Sequence, residues 1–419
     1  MLRKLALGHL IYFSGRYQLN SLGAVKTIVQ HITEGYPDNK HLYLIGMGNF
    51  EQIQARPNIT YINISKAYQK QSFIYQVLLK LVKVVTPSVD FNARVFLWVN
   101  LKYDIIADKI ATKEAQKLID EVSDITIVMG ISPMTLFLGQ RAKRTGKKFI
   151  IHTGWAHPSL QNKLVTEAYI GLNLKVPPFS KKRICRQLKE IDTADLIICT
   201  SNFVRDSFLV NGIPGEKVIN VGRGIELGRF QIPDNVRSCK DPFVILFIGR
   251  VCIEKGIHIL MQALEYSDIQ EVSVILNGSI DPQSKPIVDK ASKMLEKKGI
   301  RIIVDPGDPR RHLKNASILV QPSVHDAFGF TVLEAMASGV PVIVSSNVGA
   351  KDCVLENKNG FIFQSGNYEE LAKYITFFFD NPISRIEYGV ESSEIAKKYD
   401  ILAASERQLS VLQTMLEVN

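Results

Sequence analysis

The sequence predicts an α/β protein built from two Rossmann-like, doubly wound parallel-sheet domains facing each other across a cleft. Three observations predict it. Short β-branched runs alternate with amphipathic stretches along most of the chain. These runs are apolar throughout rather than alternating, as expected for parallel strands covered on both faces. The periodicity lapses once, at residues 227–243 (LGRFQIPDNVRSCKDPF), and a chain of 419 residues exceeds what one hydrophobic core usually supports.

In order, the first half offers KLALGHL, HLYLIGMG, ITYINIS, ITIVMGIS, KFIIHTG, LIICTS and KVINVGRG as strands. The opening MLRKLALGHLIYFSG reads as the first buried strand. Residues 71–103 (QSFIYQVLLKLVKVVTPSVDFNARVFLWVNLKY) read as a helix and a strand with apolar faces in the core, or as a surface lying on an anionic membrane. The second half offers FVILFIGR, VSVILNGS, RIIV, SILVQPS, PVIVS and GFIF, followed by helices from about Glu387 to Asn419 that could pack back on the first domain. The expected division is therefore 1–230, 231–386 and 387–419.

Composition sets the broad class. With 46% hydrophobic and 22% charged residues the chain matches a soluble globular protein. Its five cysteines are scattered singly, without a Cys-x-x-Cys pair or a metal-ligand cluster, which suits a reducing compartment and no structural zinc. No window approaches the ~18 uncharged apolar residues of a spanning helix, and no cleavage site follows the first apolar run, so a cytoplasmic location is expected. Charge is divided unevenly. Residues 1–230 hold 31 Lys+Arg against 17 Asp+Glu, a net of +14, and residues 231–419 hold 20 against 24, a net of −4. The basic half includes RAKRTGKK at 141–148, ordinarily a solvated helix end. No nucleic-acid motif accompanies this charge, so nucleic acid is not an expected partner.

The stretch HDAFGFTVLEAMASGVPVI, residues 325–343, carries the first candidate site. After the strand SILVQPS, a loop should hold His325 to Gly329 and a helix should run from about Thr331 to Ser338. The first N–H groups of such a helix, and its positive dipole end, suit a phosphate. Gly329 would allow close approach of a ligand. Asp326 before the helix and Glu334 in its first turn could border one bound molecule. Thr331-x-x-Glu334 also fits a capping box, in which Glu334 satisfies a backbone donor. A second candidate is FVILFIGRVCIEKGIHIL, which ends a buried strand at Gly249 and then presents Arg250 and Lys255, a fork and a point charge suited to a diphosphate.

GRVCIEKGIHIL at 249–260, DAFGFTVLEAMASGVPVIVS at 326–345 and GFIF at 360–363 together resemble glycosyltransferase family 4, the retaining nucleotide-sugar transferases of GT-B fold. DTADLIICTSNFVRDSF (192–208) and VINVGRGIELGRF (218–230) extend the resemblance back to about Ile150. Residues 50–120 carry none of it.

The resemblance implies roles by position. Asp326 would lie by the donor sugar, where the family has a glutamate, and Glu334 would hydrogen-bond the ribose. Arg250 and Lys255 would hold the diphosphate, and the backbone at Phe328, Gly329, Phe330 and Thr331 would touch sugar and phosphate. His152 would project into the cleft from the first domain, and Gly23 stands where the family usually has a glycine pair. No metal and no other cofactor is implied, in keeping with the absence of Asp-x-Asp. The implied partners are a nucleotide-diphosphate sugar and a glycan or lipid-linked acceptor, with a peripheral place on an anionic membrane open to the basic half. A nucleotide-sugar epimerase of similar fold and a non-catalytic sugar-nucleotide-binding relic are the competing readings.

Overall fold

The computed structural model describes residues 9–18, 41–47, 57–85, 89–176, 180–232, 238 and 241–417. Gly23 lies outside them. Two parallel sheets are present. The first holds β1 (His9–Gln18), β2 (Leu42–Met47), β3 (Ile59–Asn63), β4 (Ile125–Ile131), β5 (Lys148–His152), β6 (Leu196–Cys199) and β7 (Val218–Asn220) in the order β3-β2-β1-β4-β5-β6-β7. The second holds β8 (Val244–Ile248), β9 (Ser273–Asn277), β10 (Arg301–Val304), β11 (Ile318–Gln321), β12 (Val342–Ser345) and β13 (Gly360–Phe363) in the order β10-β9-β8-β11-β12-β13. The order reverses between β1 and β4 and between β8 and β11, and crevices at such switch points, beyond the carboxyl strand ends, are where open α/β sheets bind ligands.

The apolar runs form strands because both faces of each sheet are covered, and β6, β11 and β12 are buried at every position. The first strand pairs with β2 and β4 through Leu10 to Phe13. One expectation changes. The described residues of 71–103 hold no strand: they fall in two long helices, Ser65–Val85 and Val89–Glu121. The β-branched and aromatic residues around Phe91–Trp98 are taken into the second helix, whose later turns bury Val99, Ala107, Ala111 and Ala115. Tertiary packing overrides strand propensity there.

The chain crosses between the domains twice. Ile225 and Phe230 pack in the core of the second domain, with Leu246 and Leu333. Leu409 and Leu412, on the final helix Ile401–Glu417, pack with Tyr12, Ile127 and Ile150 of the first sheet. A buried polar cluster fixes the loop after β4: Glu190 accepts from Ser132 Oγ at 2.8 Å and from the Thr135 N–H at 2.9 Å. Asp108 pairs with Arg186 and accepts from the N–H groups of Phe137 and Leu138 at 2.8 and 3.1 Å.

Candidate functional site

The second-domain part of the site grows from the end of β11. The following helix spans Phe330–Ala337 and starts one residue earlier than expected, because Gly329 is its N-cap in the left-handed region at φ +87°. A Cβ there would also lie 2.9 Å from Val348 Cγ1, so only glycine fits without strain. The Thr331 hydroxyl donates to Gln321 Oε1 at 3.1 Å instead of capping the helix. The capping box is therefore absent, and Glu334 stands in the second turn rather than the first. With the first helical N–H groups left without intrahelical partners, those of Phe330 and Thr331 open at this mouth. Phe328 is buried behind them, its ring 5.1 Å from that of Phe330.

The cationic part arrives on the turn after β8. Gly256, at φ +76°, brings Lys255 to the same mouth: a Cβ on it would fall 1.8 Å from the Pro322 carbonyl oxygen, so the backbones meet only because this residue is glycine. Lys255 Nζ donates to Asp326 Oδ2 at 2.5 Å. Gln321 Nε2 reaches the same oxygen at 3.3 Å, and the Phe328 N–H reaches Oδ1 at 3.4 Å. A chain of contacts thus runs from Thr331 through Gln321 to Asp326 and Lys255. Burial pulls the Lys255 ammonium down, and Asp326, with Glu254 and Cys252, more than offsets this, so Lys255 is held above the ordinary lysine range.

Arg250 does not share that carboxylate. Its side chain is 57% exposed and its Nη2 lies 3.3 Å from Glu254 Oε2. Glu254, half-buried between Arg250 and Lys255, is raised by burial. His325 is buried and its imidazole is pushed down to about 4 by desolvation, which keeps it neutral. Glu334 is half-buried, and burial pushes its carboxyl up to about 7, with Arg229 acting against the shift and Asp308 adding to it.

The first domain meets this site through the loop after β6. Thr200 Oγ1 and Ser201 Oγ both donate to the Ala327 carbonyl, at 3.0 and 2.7 Å, and the Asn202 N–H donates to Asp352 Oδ2 at 2.7 Å. The TSN run thereby latches the DAFG loop. His152 ends β5 as expected but does not project into the cleft. It is fully buried, and its Nε2 lies 2.8 Å from Nη2 of Arg223, itself 1% exposed.

The structure thus brings Lys255, Asp326, Phe328, Gly329, Phe330 and Thr331 together, sets Glu334 one turn deeper, and leaves Arg250 and Gly249 at the rim of the β8 turn. Sequence reasoning missed Gln321, Glu254 and Arg223. Gln321 had a signal, being the one polar residue inside an apolar strand run. So did Arg223, a charge within an otherwise apolar and glycine-rich strand end. Among the described residues no cluster of three or more His, Cys, Asp or Glu side chains could hold a metal ion.

Residues 229–398 match the family Glycosyl transferases group 1. The capsular polysaccharide biosynthesis glycosyltransferase CapM of Staphylococcus aureus is 28% identical over 194 residues, covering 43% of this chain and 50% of CapM. D-inositol 3-phosphate glycosyltransferase 1 of Catenulispora acidiphila is 26% identical over 246 residues, covering 54% of this chain and 59% of that protein. The chain thus spans between half and three-fifths of the length of these relatives. Among solved structures, Anabaena HepE in complex with UDP superposes with a TM-score of 0.63 over 97% of this chain and 100% of HepE, at 15% identity, a likeness of fold alone. Residues 229–398 are thus similar to the group 1 glycosyltransferases, and the paired parallel sheets have the GT-B architecture.

Proposed function

We propose that this protein is a retaining glycosyltransferase that moves a sugar from a nucleotide-diphosphate sugar onto a glycan or lipid-linked acceptor. The observation that carries the reading is the 2.5 Å contact of Lys255 with Asp326 at the mouth of the helix Phe330–Ala337. A diphosphate placed there meets an ammonium, the N–H groups of Phe330 and Thr331 and a helix dipole, all of which stabilise charge that grows as the bond breaks. Arg250 adds a second cation from the rim. Asp326 faces the donor sugar, and Glu334 takes the ribose hydroxyls.

In this reading the acceptor hydroxyl attacks the anomeric carbon on the face the diphosphate leaves. The bond from that carbon to the diphosphate oxygen breaks, the new glycosidic bond forms, and the acceptor proton passes to the departing phosphate oxygen. Positioning and electrostatics supply the catalysis without a protein nucleophile. The charge is assigned to Lys255, Arg250 and the helix rather than to a metal.

The UDP complex of HepE supports beginning the donor search with uridine nucleotides, and the name of CapM supports a glycan acceptor. The basic first domain supports a peripheral site on an anionic membrane, with a cytoplasmic location. Thermal denaturation against a panel of nucleotide sugars tests the reading, since a donor that binds only the folded state raises the melting temperature. The expected result is stabilisation by one donor, with nucleoside diphosphate released when acceptor is added. Failure of every nucleotide sugar to stabilise the protein would overturn it, and isomerised sugar formed without acceptor would make it an epimerase.

A further inference from the structure

A groove of about 230 Å³ lies between the two domains and is not used by the donor site. Its walls are the first-domain helices Pro158–Gly171 and Lys181–Thr193, contributing Gln161, Asn162, Arg183 and Gln187. Its floor is Glu254 of the second domain, and Trp155 stands at its edge. The larger cavity of about 350 Å³, around Pro242, Lys314 and Arg385, lies at the opposite end of β8 and β11, away from this chemistry.

The groove is built rather than incidental. Trp155 is 40% exposed, yet its loop is fixed: its N–H donates to Thr153 Oγ1 at 3.1 Å, and that hydroxyl donates back to the Trp155 carbonyl at 2.8 Å. An indole left facing solvent on a pinned loop offers a ready-made platform. Arg183 is held from behind, its Nε donating at 2.8 Å to Oδ2 of the fully buried Asp104. Asn162 and Gln187 line the groove with side-chain amides, which can both donate to and accept from a ligand hydroxyl.

We propose that this groove holds one neutral pyranose of the acceptor glycan, stacked on Trp155; the proposal rests on the transferase reading above. An aromatic face beside amides, a guanidinium and a carboxylate matches a ring that has an apolar C–H face and a rim of hydroxyls able both to donate and to accept. An anion fits poorly, because Arg183 already serves Asp104 and the Glu254 carboxylate forms the floor. The volume falls below the ~300–1,000 Å³ of pockets for drug-sized ligands, which suits one sugar unit and not a nucleotide sugar. The position suits an acceptor: Glu254 precedes Lys255 in the chain, and Trp155 follows β5 by three residues.

The chain has two tryptophans, Trp98 and Trp155, so in a Trp98→Phe background indole emission reports on Trp155 alone. The methyl glycosides of glucose, galactose, mannose and N-acetylglucosamine are titrated against that protein. At least one is expected to change the emission saturably, with affinity about tenfold weaker after Asn162→Ala or Gln187→Ala and an unchanged melting temperature. In transfer assays Trp155→Ala is expected to raise the acceptor KM about tenfold, Trp155→Phe to recover most of it, and the donor KM to stay constant. If a nucleotide sugar stabilises the protein while no glycoside alters Trp155 emission and Trp155→Ala leaves the acceptor KM unchanged, this inference fails and the transferase reading stands. If no nucleotide sugar stabilises it, the reading beneath the inference fails with it.

Discussion

Arg223 Nη2 lies 2.8 Å from Nε2 of His152, with both side chains buried. Arginine has no acceptor, so the imidazole nitrogen must accept. Arg223 Nε and Nη1 take no hydrogen-bond acceptor from the protein. Desolvation brings its guanidinium down to about 10, with Tyr12 and Cys199 acting the other way.

The first prediction follows from this asymmetry. His152→Leu leaves a buried guanidinium with fewer partners and should cost about 1.5–3 kcal/mol of stability. Arg223→Met removes the charge together with its unmet donors and should be neutral or stabilising, and adding it to His152→Leu should recover the loss. Denaturant midpoints of the two single variants and the double variant measure the cycle. Turnover separates packing from chemistry: a double variant that regains stability but not kcat gives His152 a part in the reaction.

The second prediction concerns pH and Glu334. Its folded-state carboxyl is raised to about 7, so the folded protein holds a proton that the unfolded chain releases at lower pH. The sign is then fixed. The stability this group contributes is present below its ordinary range and is lost as pH rises toward about 7. Donor binding should run the other way, because ribose hydroxyls donate to the ionised form. Affinity for the donor should rise across about pH 6 to 8 and level off above the Glu334 value, since a diphosphate esterified at both ends keeps its charge over that range. Calorimetric titration of wild type and Glu334→Gln checks this: the slope should vanish in the variant, with binding weakened by about 1.5–3 kcal/mol. An equal slope in both proteins would remove Glu334 from the ribose.

The third prediction ranks the cations. Lys255 faces Asp326 inside the site, whereas Arg250 is mostly exposed beside Glu254. Lys255→Ala should lower kcat about 100-fold, as loss of a donor to developing charge does, and Arg250→Ala should lower it less. Glu334→Ala should act mainly on the donor KM, because ribose contacts are the same in ground and transition states. Activity should persist in EDTA. Steady-state kinetics decide the order, and losses confined to KM for all three would move the diphosphate elsewhere.

Strand number, parallel pairing and the division into two sheets were legible because buried parallel strands write continuous apolar runs, as VILFI and VIVS do. The local chemistry around Gly329 and Gly256 was half legible. The glycines were visible, but not that Gly329 would cap the helix, nor that Gly256 would sit against Pro322. Those facts come from packing between segments far apart in sequence. Residues 89–98 misled for a related reason: Val, Phe and Trp favour strands locally, while the long helix that takes them is held by Val99, Ala107 and Ala111 further along. His152 was found by position, but its contact with Arg223 joins it to a residue 71 positions away in sequence.

The last prediction concerns the first domain. The helices Ser65–Val85 and Val89–Glu121 follow one another with three residues between them. Phe73 and Ile74 are 65% and 63% exposed, and Trp98 is exposed with Lys102 Nζ 5.4 Å from its ring centroid. From Ser65 to Tyr103 the sequence carries Lys66, Lys70, Lys80, Lys83, Arg94 and Lys102 against the single acid Asp90. Exposed aromatic and aliphatic groups in a stretch so rich in cations suit an interface of anionic headgroups over acyl chains. No described helix is long and apolar enough to cross a membrane. Each basic residue near such a surface contributes ~1 kcal/mol, an attraction screened within a Debye length of ~8 Å at physiological salt. The protein should therefore co-sediment with vesicles containing phosphatidylserine at low salt, release at high salt, and ignore neutral phosphatidylcholine vesicles. Phe73→Ala with Ile74→Ala should weaken the binding without changing the melting temperature, because neither side chain is in the core. No sedimentation with anionic vesicles at low salt would rule out membrane docking and leave the +14 of residues 1–230 to attract an acidic substrate from solution.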